Sequence, residues 1–154
     1  MAKVEAKLEE LGLKLPEHRA PSLPFHSVYR VGNLLFFSGT ISMDLEGNTL
    51  SGKVGAEVTV EEGYERAKLV MLRVLGNVKH EIGDLDKVKR AVRLFNMINA
   101  APDFTAHPRV ANGASELLIE LYGEDIKGTR AAVGMGSLPG NASVEIEGVF
   151  EIAD

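Results

Sequence analysis

The chain has 154 residues, of which 45% are hydrophobic and 25% charged, the composition of one ordinary globular domain. Its 22 acidic residues outnumber the 17 basic ones, so the basic excess typical of nucleic-acid-binding proteins is missing. The absence of cysteine excludes disulfides, thiolate metal sites and cysteine nucleophiles. With neither a signal-peptide pattern nor an apolar run of roughly 20 residues, we expect a cytoplasmic protein that binds neither membranes nor nucleic acid.

Hydrophobic periodicity and turn signals divide the chain into alternating strands and helices. The clearest element is a helix that starts at the capping box Thr59-x-x-Glu62 and ends at Gly83. The predicted elements, in chain order, are a short helix over 4–12, a hairpin over 29–38 that turns at Gly32-Asn33, a helix over 59–82, a strand over 87–99, a helix over 103–122, and strands over 129–137 and 142–152. Two long helices and about six strands predict an α+β domain, a two-layer sandwich of helices on a mixed sheet.

The last two strands bring together the residues that could carry chemistry. Glu145 and Glu147 alternate with apolar residues, so both point to one face of the sheet. If the loop over 138–141 closes a hairpin, facing residues share a side of the sheet, and Arg130 lies on the same face as the glutamates. Ala132 would then face Glu147, and its small side chain leaves room beside the carboxylates.

Two interpretations of this face remain open from spacing alone. One is a solvated sheet surface, which is charged because it is wet. The other is a pocket in which an arginine holds an anion and a carboxylate manages a proton or a water molecule. The four histidines show no spacing typical of metal ligands, so we expect no metal.

Several segments together resemble one family, the reactive intermediate deaminase (Rid) family, which is also called the endoribonuclease L-PSP family. The resemblance lies in the hairpin segment 31–39 that ends in Ser-Gly, the helix segment Asn112-Gly-Ala-Ser-Glu116, and an arginine followed by a Leu-Pro turn and a Glu-x-Glu strand, at 129–133, 138–139 and 144–147. It extends from about residue 21 to residue 152. The chain would then be a single domain over 1–154 in which residues 1–20 form an N-terminal extension.

The resemblance implies a chorismate-mutase-like fold and a homotrimer whose sheets surround a central barrel. Family members have small-molecule pockets between protomers, where they hydrolyse enamine and imine acids such as 2-aminoacrylate to 2-keto acids and ammonia. It also implies that no cofactor is needed, because imines hydrolyse in water and the protein mainly orients the reactants and stabilises charge.

The family pattern also implies roles for individual residues. Arg130 corresponds to the arginine that binds the substrate carboxylate, and Glu145 to the glutamate that positions the attacking water. The hairpin register favours Glu147 rather than Glu145 as the neighbour of Arg130, so both glutamates remain candidates. The resemblance places three further positions in the pocket wall: Ser38, Gly39 and Asn112.

Two pocket positions depart from the pattern. Phe25 stands where the family often has a tyrosine contributed by the neighbouring protomer, and Ala132 stands where many deaminating members have a cysteine. These losses leave three functions open: an enamine/imine deaminase, a metabolite-binding or regulatory module that binds 2-keto acids on the same trimer, and an endoribonuclease. The acidic net charge and the lack of a histidine pair argue against the last.

Overall fold

The computed structural model describes residues 2–18 and 22–154. In this part of the chain, three α-helices and one five-stranded sheet form two layers. The helices are α1 (Lys3–Glu10), α2 (Val60–Ile82) and α3 (His107–Tyr122), and the strands are β1 (Val28–Val31), β2 (Leu34–Ile41), β3 (Val88–Asn99), β4 (Thr129–Met135) and β5 (Val144–Ile152). This confirms the predicted α+β class, with five strands in place of about six.

The long helix α2 begins and ends where its sequence signals predict. The hydroxyl of Thr59 accepts a hydrogen bond from the backbone N–H of Glu62, whose carboxylate accepts one in return from the N–H of Thr59. Gly83 ends the helix with a left-handed φ of 79°. Gly113 of α3 lies directly against the carbonyl of Tyr64, where a Cβ atom would collide. The two long helices therefore pack at close range on one side of the sheet.

The strand order in the sheet is β1-β2-β5-β3-β4. The hairpin of β1 and β2 turns at Gly32, with Val31 opposite Leu34, as the sequence predicts. Strand β5 pairs antiparallel with both β2 and β3, while β4 pairs in parallel with β3 at the edge of the sheet. Helix α3 makes the crossover between the two parallel strands, as such connections require.

The predicted hairpin between β4 and β5 is wrong, because β3 lies between them. Instead of turning back on β4, the chain passes over the end of β3 to reach β5. The buried side chain of Asn99, the last residue of β3, holds this passage by donating to Oδ1 of Asn141 at 3.0 Å and to the carbonyl of Ala142 at 3.1 Å. Contacts between residues more than 40 positions apart thus hold the connection from β4 to β5 across the end of β3.

The two faces of the sheet differ in their cover. The helix-side face, which carries Leu94, Asn96, Ile98 and Ile146, is buried under α2 and α3. The open face carries Phe95 and Met97 of β3 and the glutamates of β5, and these apolar residues are only half-buried. None of the described helices lies over the open face.

The N-terminal segment is part of the helix layer. The carboxylate of Asp86 accepts from the backbone N–H of Lys3 at 2.8 Å and of Val4 at 2.9 Å, so it satisfies the start of α1. Further along, a Cβ atom on Gly76 of α2 would lie 3.1 Å from the carbonyl oxygen of Pro16, a close approach that glycine permits. Residues 1, 19 and 20 of the predicted extension lie outside the described residues. No helix in the described ranges combines the length and apolar character needed to cross a membrane.

Candidate active site

Arg130 lies on the helix-side face of β4, not on the face of the glutamates as predicted. Arg130 of β4, Leu94 of β3 and Gly148 of β5 pair side by side and form one row across the sheet. Glu147 pairs with Phe95 in the next row. Side chains in one row share a face, and successive rows alternate. With β3 inserted between β4 and β5, the row that contains Arg130 therefore points towards α3.

The guanidinium of Arg130 is held by α3 in an orientation that leaves it open to solvent. One Nη donates to Oγ of Ser115 at 3.1 Å, and the other donates to the carbonyl of Pro108 at 3.4 Å. Within residues 2–18 and 22–154 it forms no ion pair with a carboxylate. A cation fixed by neutral partners keeps its charge available for an anionic ligand.

Arg130 lines a cavity of about 380 Å³ between β4 and α3. Its polar wall includes the charged residues Arg130, Lys127 and Glu116 together with Asn112 and Ser115. Its apolar wall includes Leu94 and Ile119. A cavity with a few convergent polar groups on an apolar lining is the usual form of a small-molecule site. The predicted pocket residues Arg130 and Asn112 are thus brought together by the structure.

Ser115 is a member of this wall that the sequence reasoning did not single out. It lies three residues after Asn112, and residues at this spacing share one face of a helix. The three-residue spacing could be read from segment 112–116, but only the position of α3 over β4 shows that Ser115 contacts Arg130.

Ala132 follows Arg130 on the same face and is half-buried against the core. Its neighbour in β3 is Asn96, which is fully buried. The Asn96 amide nitrogen donates to the carbonyl of Ala131 at 3.0 Å, but its Oδ1 is a buried acceptor without a hydrogen-bond partner among the described residues. The position where many family deaminases have cysteine is thus a small side chain beside an unsatisfied polar atom.

The carboxylate of Glu145 lies on the open face, directly against Gly39 of β2, where a Cβ atom would overlap it. Glu145 is half-buried, whereas Glu147 is exposed. Burial raises the pKa of Glu145, and the nearby charge of Glu147 raises it further. A carboxyl group of this kind is suited to exchange protons with a bound water molecule or substrate.

Three other predicted pocket residues line a different cavity, whose wall also includes Arg73 and Asn77 of α2. These residues are Phe25, Ser38 and Gly39, and the cavity has a volume of about 320 Å³. Phe25 is 53% exposed, and the hydroxyl of Ser38 is already committed, since it donates to the carbonyl of His26 at 2.6 Å. Ser38 can therefore offer backbone groups more readily than its hydroxyl.

In the described chain, most of the predicted site residues thus form two groups on opposite faces of the sheet. The Arg130 group comprises Arg130, Asn112 and Ala132, and the Glu145 group comprises Glu145, Glu147 and Gly39. Phe25 and Ser38 line the 320 Å³ cavity, whose wall also includes residues of α2. The Arg130 group can bind an anion, and the Glu145 group can exchange a proton.

The sheet order, the two helices on one face and the edge cavity define a chorismate-mutase-like α+β protein. Residues 5–150 match the family described as "YjgF/chorismate_mutase-like, putative endoribonuclease". The chain belongs to this family, which confirms the resemblance to the Rid proteins found in the sequence.

Three relatives are similar to the chain over nearly all of its length. Protein TCP17 of Trypanosoma cruzi is 38% identical over 151 residues, which cover 97% of this chain and 94% of that protein. The structure of a protein of unknown function from Agrobacterium tumefaciens has 38% identity and a TM-score of 0.88, covering 97% of this chain and 92% of that one. A structure from Shewanella oneidensis, described as a putative endoribonuclease, has 31% identity and a TM-score of 0.91, covering 97% and 99%.

Proposed function

We propose that this protein is a hydrolase that acts on small 2-imino or enamine carboxylic acids and releases ammonia and a 2-keto acid. The observation that carries the proposal is the open guanidinium of Arg130, which faces a cavity of about 380 Å³ without a carboxylate partner in the described chain. A guanidinium has five N–H donors, so donors remain beyond the two that bond to Ser115 and Pro108, and their planar arrangement matches a substrate carboxylate.

The separation of the two residue groups favours a site built between protomers. Glu145 cannot reach the Arg130 cavity of its own chain, because the sheet lies between them. We propose a homotrimer in which the Glu145 group of one protomer meets the Arg130 group of its neighbour. The half-buried Phe95 and Met97 on the open face, together with the exposed Tyr29 and Phe36, support an assembly that covers this face.

In such a site the chemistry needs no cofactor. Arg130 would bind the carboxylate of the substrate and orient its imine carbon. Glu145, whose pKa is raised by burial and by Glu147, would position the attacking water and accept its proton. Binding in a fixed orientation supplies most of the acceleration, because imines already react with water.

The proposal is tested by following 2-keto acid release when a pyridoxal-phosphate dehydratase generates 2-aminoacrylate in the presence of the protein. We expect wild-type protein to exceed the buffer control, and Arg130→Ala to return to that control. Loss of a charge-assisted pair should also weaken binding of a 2-keto acid by about 10- to 100-fold. Arg109→Ala is the matched control, since Arg109 is an exposed arginine of α3 that pairs with Glu61. A wild-type rate equal to the buffer control would refute the hydrolase.

A second candidate is a metabolite-binding module that holds 2-keto acids without turnover. It is favoured by Phe25 and Ala132, which cannot supply the hydroxyl and thiol that stand at these positions in many deaminating family members. Calorimetric titration with 2-keto acids separates the two functions. Binding that depends on Arg130, together with a reaction rate that does not exceed the buffer control, selects the module.

A further inference from the structure

His107, the first residue of α3, lies directly over Gly134 of β4. A Cβ atom on Gly134 would be 2.6 Å from Nε2 of His107, so any other residue at this position would displace the imidazole. The ring also makes an edge contact with Phe104, with 5.1 Å between ring centroids. No hydrogen bond to either ring nitrogen is made by the residues that the structure describes. The glycine thus creates a place for a half-buried imidazole whose nitrogens are available.

This imidazole lies in line with Arg130 along one face of β4. Arg130, Ala132 and Gly134 alternate along the strand, so all three point towards α3. The guanidinium donates to the carbonyl of Pro108, the residue that follows His107. Gly134 is exposed at the edge of the sheet, and His107 lies outside the lining of the 380 Å³ cavity, at the end of β4 that is open to solvent.

An unpaired polar atom of the described chain belongs to the residue that pairs with β4 midway between Arg130 and Gly134. The buried Oδ1 of Asn96, beside Ala132, has no partner among the described residues. Buried acceptors are nearly always satisfied by protein, water or ligand, so this oxygen requires a hydrogen-bond donor beyond the described residues. Arg130, Ala132 beside Asn96, and Gly134 beneath His107 thus occupy every second position of β4.

From this juxtaposition we infer that His107 is the proton-transfer group of the Arg130 site. The inference rests on the proposed function and deepens it, since it assigns to this chain a group that neither Phe25 nor Ala132 can supply. An imidazole is well suited to the task, because it both donates and accepts protons in the neutral pH range. The charged residues nearest to it along the chain are Asp103 in the preceding loop and Arg109 in the first turn of α3. Arg130 approaches this turn through its hydrogen bond to the carbonyl of Pro108.

The step assigned to His107 is the breakdown of the carbinolamine that forms when water adds to the imine carbon. The imidazolium donates a proton to the amino nitrogen, and the C–N bond breaks as its electron pair leaves with ammonia. A lone pair of the hydroxyl oxygen forms the carbonyl bond. The hydroxyl proton passes to the imidazole and restores the imidazolium, so that protons and electrons balance over the step.

The test compares turnover with ligand binding in His107 variants of the full chain. We expect His107→Gln to lower kcat by about 100-fold, the usual size of a general acid–base contribution, while the Kd for a 2-keto acid stays within about threefold of wild type. Free imidazole should restore part of the activity of His107→Ala, with wild-type protein and buffer plus imidazole as controls. His80→Gln is the matched histidine control, because His80 lies at the end of α2 and stacks on His18.

In Gly134→Ala the new methyl group displaces the imidazole, so this variant should show the same loss of kcat without changing any titratable residue.

The outcomes separate this inference from the function on which it rests. Turnover by the wild type with unchanged kcat in both His107 variants overturns the role of His107 alone. A parallel loss of turnover and 2-keto acid binding also overturns it, because that result indicates a structural role. A wild-type rate equal to the buffer control overturns both proposals.

Discussion

The two faces of the sheet each carry a charged residue of the same sequence pattern, but the surroundings of these two residues differ. On the helix-side face, Arg130 lies at the sheet edge, fixed by Ser115 and Pro108 beside a cavity. On the open face, Glu145 packs against Gly39 with half-buried apolar neighbours and no covering helix in the described chain. Both residues belong to one sequence pattern, yet they cannot meet within a protomer. Two residues that are close in a sequence motif therefore share a site only if the sheet places their side chains on the same face.

The largest effect should come from an experiment that reunites the two faces across a subunit boundary. Arg130→Ala and Glu145→Gln should each be inactive as separate oligomers. If the site joins Arg130 of one protomer to Glu145 of another, unfolding the two variants together and refolding them at equal amounts should restore about one quarter of wild-type turnover. Continued inactivity of the mixture, with mixed oligomers shown to form, would exclude a site that joins Arg130 of one protomer to Glu145 of another. Each variant refolded alone provides the control.

A smaller effect is expected within the helix-side face. Ser115→Ala removes one of the two hydrogen bonds that hold the Arg130 guanidinium, while the charge remains. We expect 2-keto acid binding to weaken by about 5- to 10-fold, corresponding to one hydrogen bond of roughly 1 kcal/mol. Calorimetric titration measures this, with Ser137→Ala, an exposed serine in the loop after β4, as the control. Identical affinities for the two variants would mean that Ser115 does not position the arginine.

The smallest effect concerns the open face and appears in stability. Burial, followed by the charge of Glu147, raises the pKa of Glu145, so folding favours its neutral form. The stability contributed by this group is fully present below the ordinary carboxyl pKa, and it is lost as pH rises through the raised value. A glutamine stays neutral throughout. Glu145→Gln should therefore unfold about 1–2 °C above wild type near pH 7, and the difference should vanish in acid.

Thermal unfolding across this pH range measures the difference, with Glu120→Gln on the exposed side of α3 as the control. An unfolding temperature of Glu145→Gln that lies below wild type near pH 7 and approaches it in acid would reverse the predicted sign. It would then show that the ionised carboxylate is favoured in the folded protein.

Local sequence signals determined much of the fold and part of the site. The capping box at Thr59 and the glycine at 83 fixed the ends of α2, because helix termini need partners for unpaired backbone groups. The alternation around Glu145 and Glu147 fixed which side of β5 is buried, because a strand has a period of two. The pattern of an arginine, a Leu-Pro turn and a Glu-x-Glu strand identified the family. It could be recognised because it lies within one short segment of the sequence and requires no knowledge of strand pairing.

Only the tertiary structure decided where Arg130 points and what surrounds it. Strand pairing is non-local, and the choice of β3 rather than β5 as the partner of β4 moved Arg130 to the opposite face of the sheet. The passage over β3 depends on the buried amide of Asn99, whose partners are more than 40 residues away in sequence. The contact of His107 with Gly134 likewise exists only because α3 packs over β4. Sequence periods assign each side chain to one side of its own strand, but only packing decides which strands, and therefore which side chains, become neighbours.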